Sequence, residues 1–197
     1  MKVKNLIIEI CIGLLAIGAV GYTFYALSGN SDSSISTGVG FAGGFSTGFY
    51  MVYFHTKKQL EFEEAPNLGS AVRVWRYIII GVYIGILALA LSFQFQFIQS
   101  PKWWYAYYFV IMIVWGNYKL KIDPVGYMIE AYLIDEDVAI KVKRVAGISI
   151  VMLGLVGLLC CMLLPVKSLV FVYTAFIIFA GSIPYFYAKY LHKKKYA

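Results

Sequence analysis

Charge is what this chain has least of. Only 14% of its 197 residues are Asp, Glu, Lys or Arg, where a soluble domain carries about a quarter. So few charges cannot cover a water-soluble fold of this size. Histidine is nearly absent too: His55 and His192 are the only two. Neither belongs to a His-x-x-x-His or Glu-x-x-His pattern, which excludes the usual helical zinc motifs. The three cysteines, Cys11, Cys160 and Cys161, all fall inside apolar runs. They have no metal-ligand spacing, and an odd number builds no disulfide framework. Cys160 and Cys161 are neighbours and point to different faces of a helix, so all three read as small buried hydrophobes. No glycine-rich phosphate loop with a following lysine occurs.

Catalytic constellations are missing as well. A Cys11–His55 pair could meet at similar depth in a membrane, but no third group is placed to orient the histidine. The acidic pieces Glu61/Glu63/Glu64 and Asp135/Glu136/Asp137 lack the spacing of a calcium loop and read as solvated surface. No metal and no cofactor is expected.

Hydrophobicity is what the chain has in excess. It is 61% hydrophobic, with a mean hydropathy of +0.74. The apolar residues come in blocks of about twenty, the length that crosses a hydrocarbon core of roughly 30 Å. The formal net charge is +7, yet the Lys and Arg sit in short clusters between apolar blocks rather than in a basic domain that could follow phosphates. Nucleic acid is therefore excluded as a partner, and a multi-pass integral membrane protein is expected, most simply in a bacterial-type plasma membrane.

The expected architecture is all-α with six transmembrane helices. The spans fall at about 6–27, 35–54, 74–97, 103–118, 145–164 and 168–188. The Met-Lys-Val-Lys opening resembles that of a signal peptide. The run behind it is too long for a cleaved leader and contains Glu9, so a retained span is expected. Ser70 is a candidate N-cap for the helix leading into the third span. Trp103, Trp104, Tyr105, Tyr107 and Tyr108 open the fourth span as an aromatic belt at the membrane boundary. Asp123-Pro124 starts a short amphipathic helix in the second cytoplasmic connector, with Val125, Met128, Ile129, Tyr132 and Leu133 at helical spacing. Pro184 is expected to kink the last turns of the sixth span, before the tail KYLHKKKYA. With the N terminus in the cytoplasm, fifteen Lys and Arg lie on inner segments, and only Lys102 and Lys167 lie on outer turns. That bias puts both termini in the cytoplasm. A single transmembrane domain over residues 1–197 leaves too little mass for a soluble one.

Two features carry the functional expectations. Ser36, Gly40, Gly44 and Gly48 recur every four residues and share one face of the second span. Such a glycine zipper lets a neighbouring helix approach closely. Gly81 and Gly85 form a shorter ladder in the third span, a candidate partner. The second feature is Glu9, the only acid placed within a span. Intramembrane ionisable groups mark functional sites by default, although Glu9 lies only about one turn from the cytoplasmic end. A shift of 68 residues also aligns Ala71–Arg76 with Ala139–Arg144, Gly48 with Gly116 and Tyr50 with Tyr118. Residues 35–97 and 103–164 would then be a parallel repeat.

The reading that joins these features is a non-enzymatic membrane protein that binds a partner within the bilayer. The partner would be another membrane protein or a second copy, as for an accessory subunit of a transport or secretion complex, or an immunity or stress protein. The alternatives are a small transporter or channel using Glu9, and an enzyme acting on a lipid or peptide at the inner leaflet.

Overall fold

In the computed structural model the chain is described at residues 2–27, 40, 43–44, 51, 53–54, 68–122 and 136–196. Among these residues every regular element is helical and there are no strands. Five helices follow one another: α1 (Lys2–Leu27), α2 (Leu68–Gln94), α3 (Lys102–Ile122), α4 (Glu136–Leu163) and α5 (Val166–Tyr196). Between α1 and α2, residues Gly40, Gly43, Gly44, Met51, Tyr53 and Phe54 are also helical. Among the described residues four stretches are long and apolar enough to cross a membrane: Ile7–Tyr25, Val72–Gln94, Val138–Leu163 and Val166–Lys194. The protein is thus a multi-pass, all-helical membrane protein. Helix α3, 21 residues long, spans about 32 Å at 1.5 Å per residue. Its many Trp, Tyr and Lys residues leave it without a stretch as apolar as those four. The amphipathic helix expected near residues 125–133 lies outside the described residues.

Most helices outrun the expected spans. Ser70 lies inside α2 rather than at its cap, because the helix begins at Leu68. Helix α4 starts at Glu136, which puts Glu136 and Asp137 in its first turn, where the helix dipole favours acids. Helix α5 runs through Pro184 to Tyr196, so the basic tail is helical almost to its end. Once nucleated, a helix gains one hydrogen bond for each further residue, and leaving the apolar layer does not stop it. Helix α2 is the one that stops early. Gln96 adopts a left-handed φ of 58°, and the chain closes with bonds from Gln96 N to Phe93 O (3.1 Å) and from Ile98 N to Ser92 O (3.2 Å). Ser100 and Pro101 then open α3. The Lys102 amide donates to Ser100 Oγ at 3.4 Å, with proline in the first turn, where its missing N–H costs nothing.

The chain falls into two compact units, Met1–Lys58 with Val72–Trp104, and Gln59–Ala71 with Tyr105–Ala197. In the first unit α2 supplies the buried stripe. Trp75, Ile79, Val82, Tyr83, Ile86, Ala90 and Phe93 are each no more than 5% exposed and recur at three- and four-residue steps, one face of a helix. On the opposite face Tyr77, Ile84 and Leu91 are exposed, every seventh residue, as suits a lipid-facing side. In the second unit α3 and α4 run antiparallel and approach closely at their glycines. A Cβ placed on Gly116 would lie 2.7 Å from the Gly147 carbonyl oxygen, and one on Gly147 would lie 2.8 Å from that of Gly116. Further along, a Cβ on Gly154 would meet Ile113 Cγ1 at 2.7 Å and Phe109 O at 2.8 Å, and one on Gly157 would enter the Phe109 ring. In the α4–α5 hairpin Val138 and Val142 pack against Ala188, with Tyr187 and Leu191 around them.

One detail fits an apolar surrounding. Thr23, Ser92, Ser149 and Thr174 each donate their hydroxyl to the carbonyl four residues earlier, at 2.7–2.9 Å. This satisfies a polar group inside its own helix where water is scarce. The expected aromatic belt, by contrast, is mostly interior: Trp104, Tyr105 and Tyr108 are buried, and Trp103 is the exposed member. Successive residues on a helix point about 100° apart, so a run of aromatics cannot all face lipid. Trp104 stacks on Phe93 (centroids 5.8 Å), while Tyr108 meets Tyr173 edge-on at 4.5 Å.

Candidate functional site

Glu9 stands two residues inside the apolar stretch of α1, and Arg76 four residues inside that of α2. At 1.5 Å per residue both lie within about 6 Å of the start of their spans. The two side chains meet: Arg76 Nη2 donates to Glu9 Oε1 at 2.9 Å. Tyr53, from the helical segment between α1 and α2, closes the group. Its hydroxyl donates to the same Glu9 oxygen at 2.5 Å and accepts from Arg76 Nε at 3.2 Å. Each of the three thus contacts the other two. Tyr53 is 1% exposed, and the Arg76 and Glu9 side chains are 15% and 18% exposed.

The cluster has no net charge, which is what allows it to sit inside a membrane-spanning layer. An isolated carboxylate or guanidinium there would be expensive, whereas a hydrogen-bonded pair offsets much of that desolvation. Arg76 is suited to the task because its planar fork can serve Glu9 through Nη2 and Tyr53 through Nε at once. Chemically the site is a clasp between three segments that holds a titratable carboxylate away from bulk water.

The far end of the same helices is tied by Tyr22, whose hydroxyl donates to Gln94 Oε1. Glu9 precedes Tyr22 in α1 as Arg76 precedes Gln94 in α2, so the two helices run parallel.

From sequence, Glu9 is the residue singled out, and it is at the centre of this cluster. Arg76 counts there only as an orienting charge, and Tyr53 goes unremarked. A usable signal exists: an acid and a base each about one turn inside the same end of two parallel spans stand at equal depth. The other sequence candidates are placed as follows where they are described. Gly40 and Gly44 are helical and exposed, and a Cβ on either would meet nothing within 4 Å. A Cβ on Gly81 would likewise meet nothing within 4 Å, and Gly85 is half-buried in α2. Ser36 and Gly48 lie outside the described residues, as do His55 and the Glu61/Glu63/Glu64 cluster. Cys11 is exposed, Cys160 half-buried and Cys161 buried, all as free thiols. Among the described residues no three of His, Cys, Asp and Glu gather as a metal site would need.

The glycines that do mediate close packing, Gly116, Gly147, Gly154 and Gly157, carry no regular four-residue period. The shift of 68 residues sets Gly48 opposite Gly116, but Ile79, Ile86 and Leu89 opposite Gly147, Gly154 and Gly157, so the α4 side of this packing has no glycine counterpart in the first copy of the candidate repeat. No protein-family model, curated protein or solved structure matches the sequence.

Proposed function

We propose that this is a non-enzymatic membrane protein that acts by binding another membrane helix through the glycine face of its second segment. The observation that carries the reading is the contrast between two sets of glycines. Gly116, Gly147, Gly154 and Gly157 are taken up by packing within the chain, where a Cβ would strike backbone or ring atoms. Gly40 and Gly44 are helical, exposed and bordered by open space. Glycine is a poor helix former, at about 1 kcal/mol below alanine, and helical glycines with no neighbour among the described residues suit close approach by another helix. The partner is a different membrane protein or a second copy of this chain.

In this reading the chain crosses the membrane six times, with both ends in the cytoplasm of a bacterial-type cell. Support comes from the parallel course of α1 and α2, which calls for a returning segment between them. Helical Tyr53 of that segment stands at the Glu9–Arg76 level. The length of α3 and the fifteen-to-two distribution of basic residues point the same way. Gly44→Leu is expected to abolish a complex captured by crosslinking in native membranes, while leaving the melting temperature of the purified chain within about 1 °C, less than the roughly 2–4 °C that 1 kcal/mol produces in a chain of this size. Undiminished crosslinking of that variant would remove the glycine face as the interface.

A transporter or channel is the second reading, favoured by one observation: a carboxylate inside a span held by groups from two other segments. Under it, flux of a cation or protons into liposomes would be abolished by Glu9→Gln. Flux that survives in this variant would take Glu9 out of any transport path. The partner-binding reading is preferred because Arg76 and Tyr53 already satisfy the carboxylate.

A further inference from the structure

From Val138 to the C terminus the chain contains eight Lys and Arg and no Asp or Glu. Sequence alone places these residues on separate segments. The fold brings seven of them to one end of a single hairpin. Val138 and Val142 of α4 pack against Ala188 of α5, with Tyr187 and Leu191 alongside. This contact sets Lys141, Lys143 and Arg144 level with the last turns of α5, which hold Lys189, Lys193, Lys194 and Lys195. Only Lys167 lies at the opposite end. Helix α3 arrives at the same end, because Lys119 Cβ lies 3.7 Å from where a Cβ of Gly147 would be. Among the described residues the acids at this end are Glu136 and Asp137, in the first turn of α4, two negative charges against seven positive ones.

The outward stripe of α5 has a particular composition. Phe186, Lys189, Tyr190 and Lys193 fall at i, i+3, i+4 and i+7, one face of a helix, and all four are exposed, Phe186 at 65% and Tyr190 at 60%. Tyr187, Ala188 and Leu191 on the other side are held against α4, so this stripe cannot turn inward. Lys141 and Arg144, three residues apart on α4, are exposed too. Helix α5, 31 residues long, extends about 46 Å, against a hydrocarbon core of roughly 30 Å. Its last turns therefore stand at the level of lipid headgroups. Aromatic rings are at home at the boundary between acyl chains and headgroups, and the lysine stems can lie along the apolar layer with their ammonium groups at the phosphates.

We propose that this end of the α4–α5 hairpin binds the headgroups of anionic phospholipids, with Lys189 and Lys193 of α5 and Lys141 and Arg144 of α4 meeting the phosphates. Phe186 and Tyr190 set the depth of α5. Charge complementarity, and the aromatic and basic residues that share one exposed stripe, select this occupant. A soluble acidic protein would match the lysines but leave the two rings without an apolar layer. The proposal does not depend on what binds the glycine face.

The test uses the full chain reconstituted in mixed phosphatidylcholine–phosphatidylglycerol vesicles, with spin-labelled forms of each lipid reporting the motionally restricted fraction. The wild type is expected to prefer phosphatidylglycerol. Raising NaCl tenfold, from about 0.05 M to about 0.5 M, shortens the screening length and is expected to cut that preference severalfold. A basic residue near an anionic surface contributes about fivefold in association. The quadruple variant Lys141→Gln/Arg144→Gln/Lys189→Gln/Lys193→Gln should therefore lose the preference, with an unchanged melting temperature in pure phosphatidylcholine. Lys189→Gln/Lys193→Gln alone, which leaves α4 intact, should lose most of it. Absence of a preference in the wild type, or its survival in the quadruple variant, would overturn the proposal.

Discussion

Replacing Arg76 by alanine is expected to destabilise the protein by about 3 kcal/mol, the lower end for breaking a buried ion pair. The lower end applies because the two side chains keep 15% and 18% of their exposure. The loss arises from what remains behind. Glu9 would keep its charge inside the span with only the Tyr53 hydroxyl as its partner from this cluster, and that hydroxyl would itself lose the Arg76 Nε donor. Arg76→Lys should recover part of the loss, because one ammonium can reach Glu9 or Tyr53 but lacks the fork that serves both. Tyr53→Phe removes a single hydroxyl and should cost about 1–2 kcal/mol, near the usual range for a hydrogen bond to a charged group. The informative variant is the double one, Glu9→Gln with Arg76→Gln. It removes both charges and should be markedly more stable than Arg76→Ala. Thermal unfolding in a mild detergent reads all four. An Arg76→Ala protein that melts like the wild type would mean that the cluster contributes nothing to holding α1 and α2 together.

Gly147→Val is expected to have the second large effect, about 2–3 kcal/mol, at the upper end of what overpacking a core costs. The size follows from what the new side chain would strike. A Cβ on Gly147 would lie 2.8 Å from the carbonyl oxygen of Gly116, a backbone atom that cannot rotate away. Helices α3 and α4 must then separate, and every van der Waals contact along their seam weakens with them. Between membrane helices that packing is the main attraction, since lipid is as apolar as the side chains. The reciprocal approach of Gly116 and Gly147 also aims each glycine's Cα–H at the other's carbonyl, a weak contact worth about 0.5–1 kcal/mol that separation would forfeit. Gly154→Val should behave alike. Gly13→Ala and Gly181→Ala are the controls: a Cβ at either position would meet nothing within 4 Å, and alanine is the better helix former by up to about 1 kcal/mol. Denaturation by SDS, followed by circular dichroism, separates the two classes. Equal behaviour of Gly147→Val and Gly13→Ala would refute the close approach of α3 and α4.

Legibility in the sequence differs by feature. Hydrophobic blocks between basic clusters are a one-dimensional signal, and the membrane class follows from counting alone. The turn at Ser100-Pro101 is also readable, because its chemistry is local. Helix ends are misplaced wherever apolar content serves as a proxy for helix. Ser70 lies within α2, and the lysine-rich tail continues α5, because backbone hydrogen bonding does not end where hydrophobicity does. The packing glycines escape notice for a different reason. A strict four-residue period draws the eye to Gly40 and Gly44, while Gly147, Gly154 and Gly157 are spaced by seven and three residues, a pattern that also keeps to one helical face.

Composition was enough to establish the kind of protein this is: too few charges for water, apolar runs of membrane length, helices because no other open structure satisfies its backbone in lipid. Composition also marked Glu9 as an acid out of place. What it could not supply is pairing. Whether Glu9 faces Arg76, whether Gly147 meets Gly116, and whether Lys141 stands beside Lys189 depend on which helices are neighbours and at what depth. Those are long-range relations between apolar surfaces that look alike in sequence. They are set by the fit of side chains around Trp75, Ile79 and Val82 in one unit and around Phe109 and Val142 in the other, and only the folded chain contains that information.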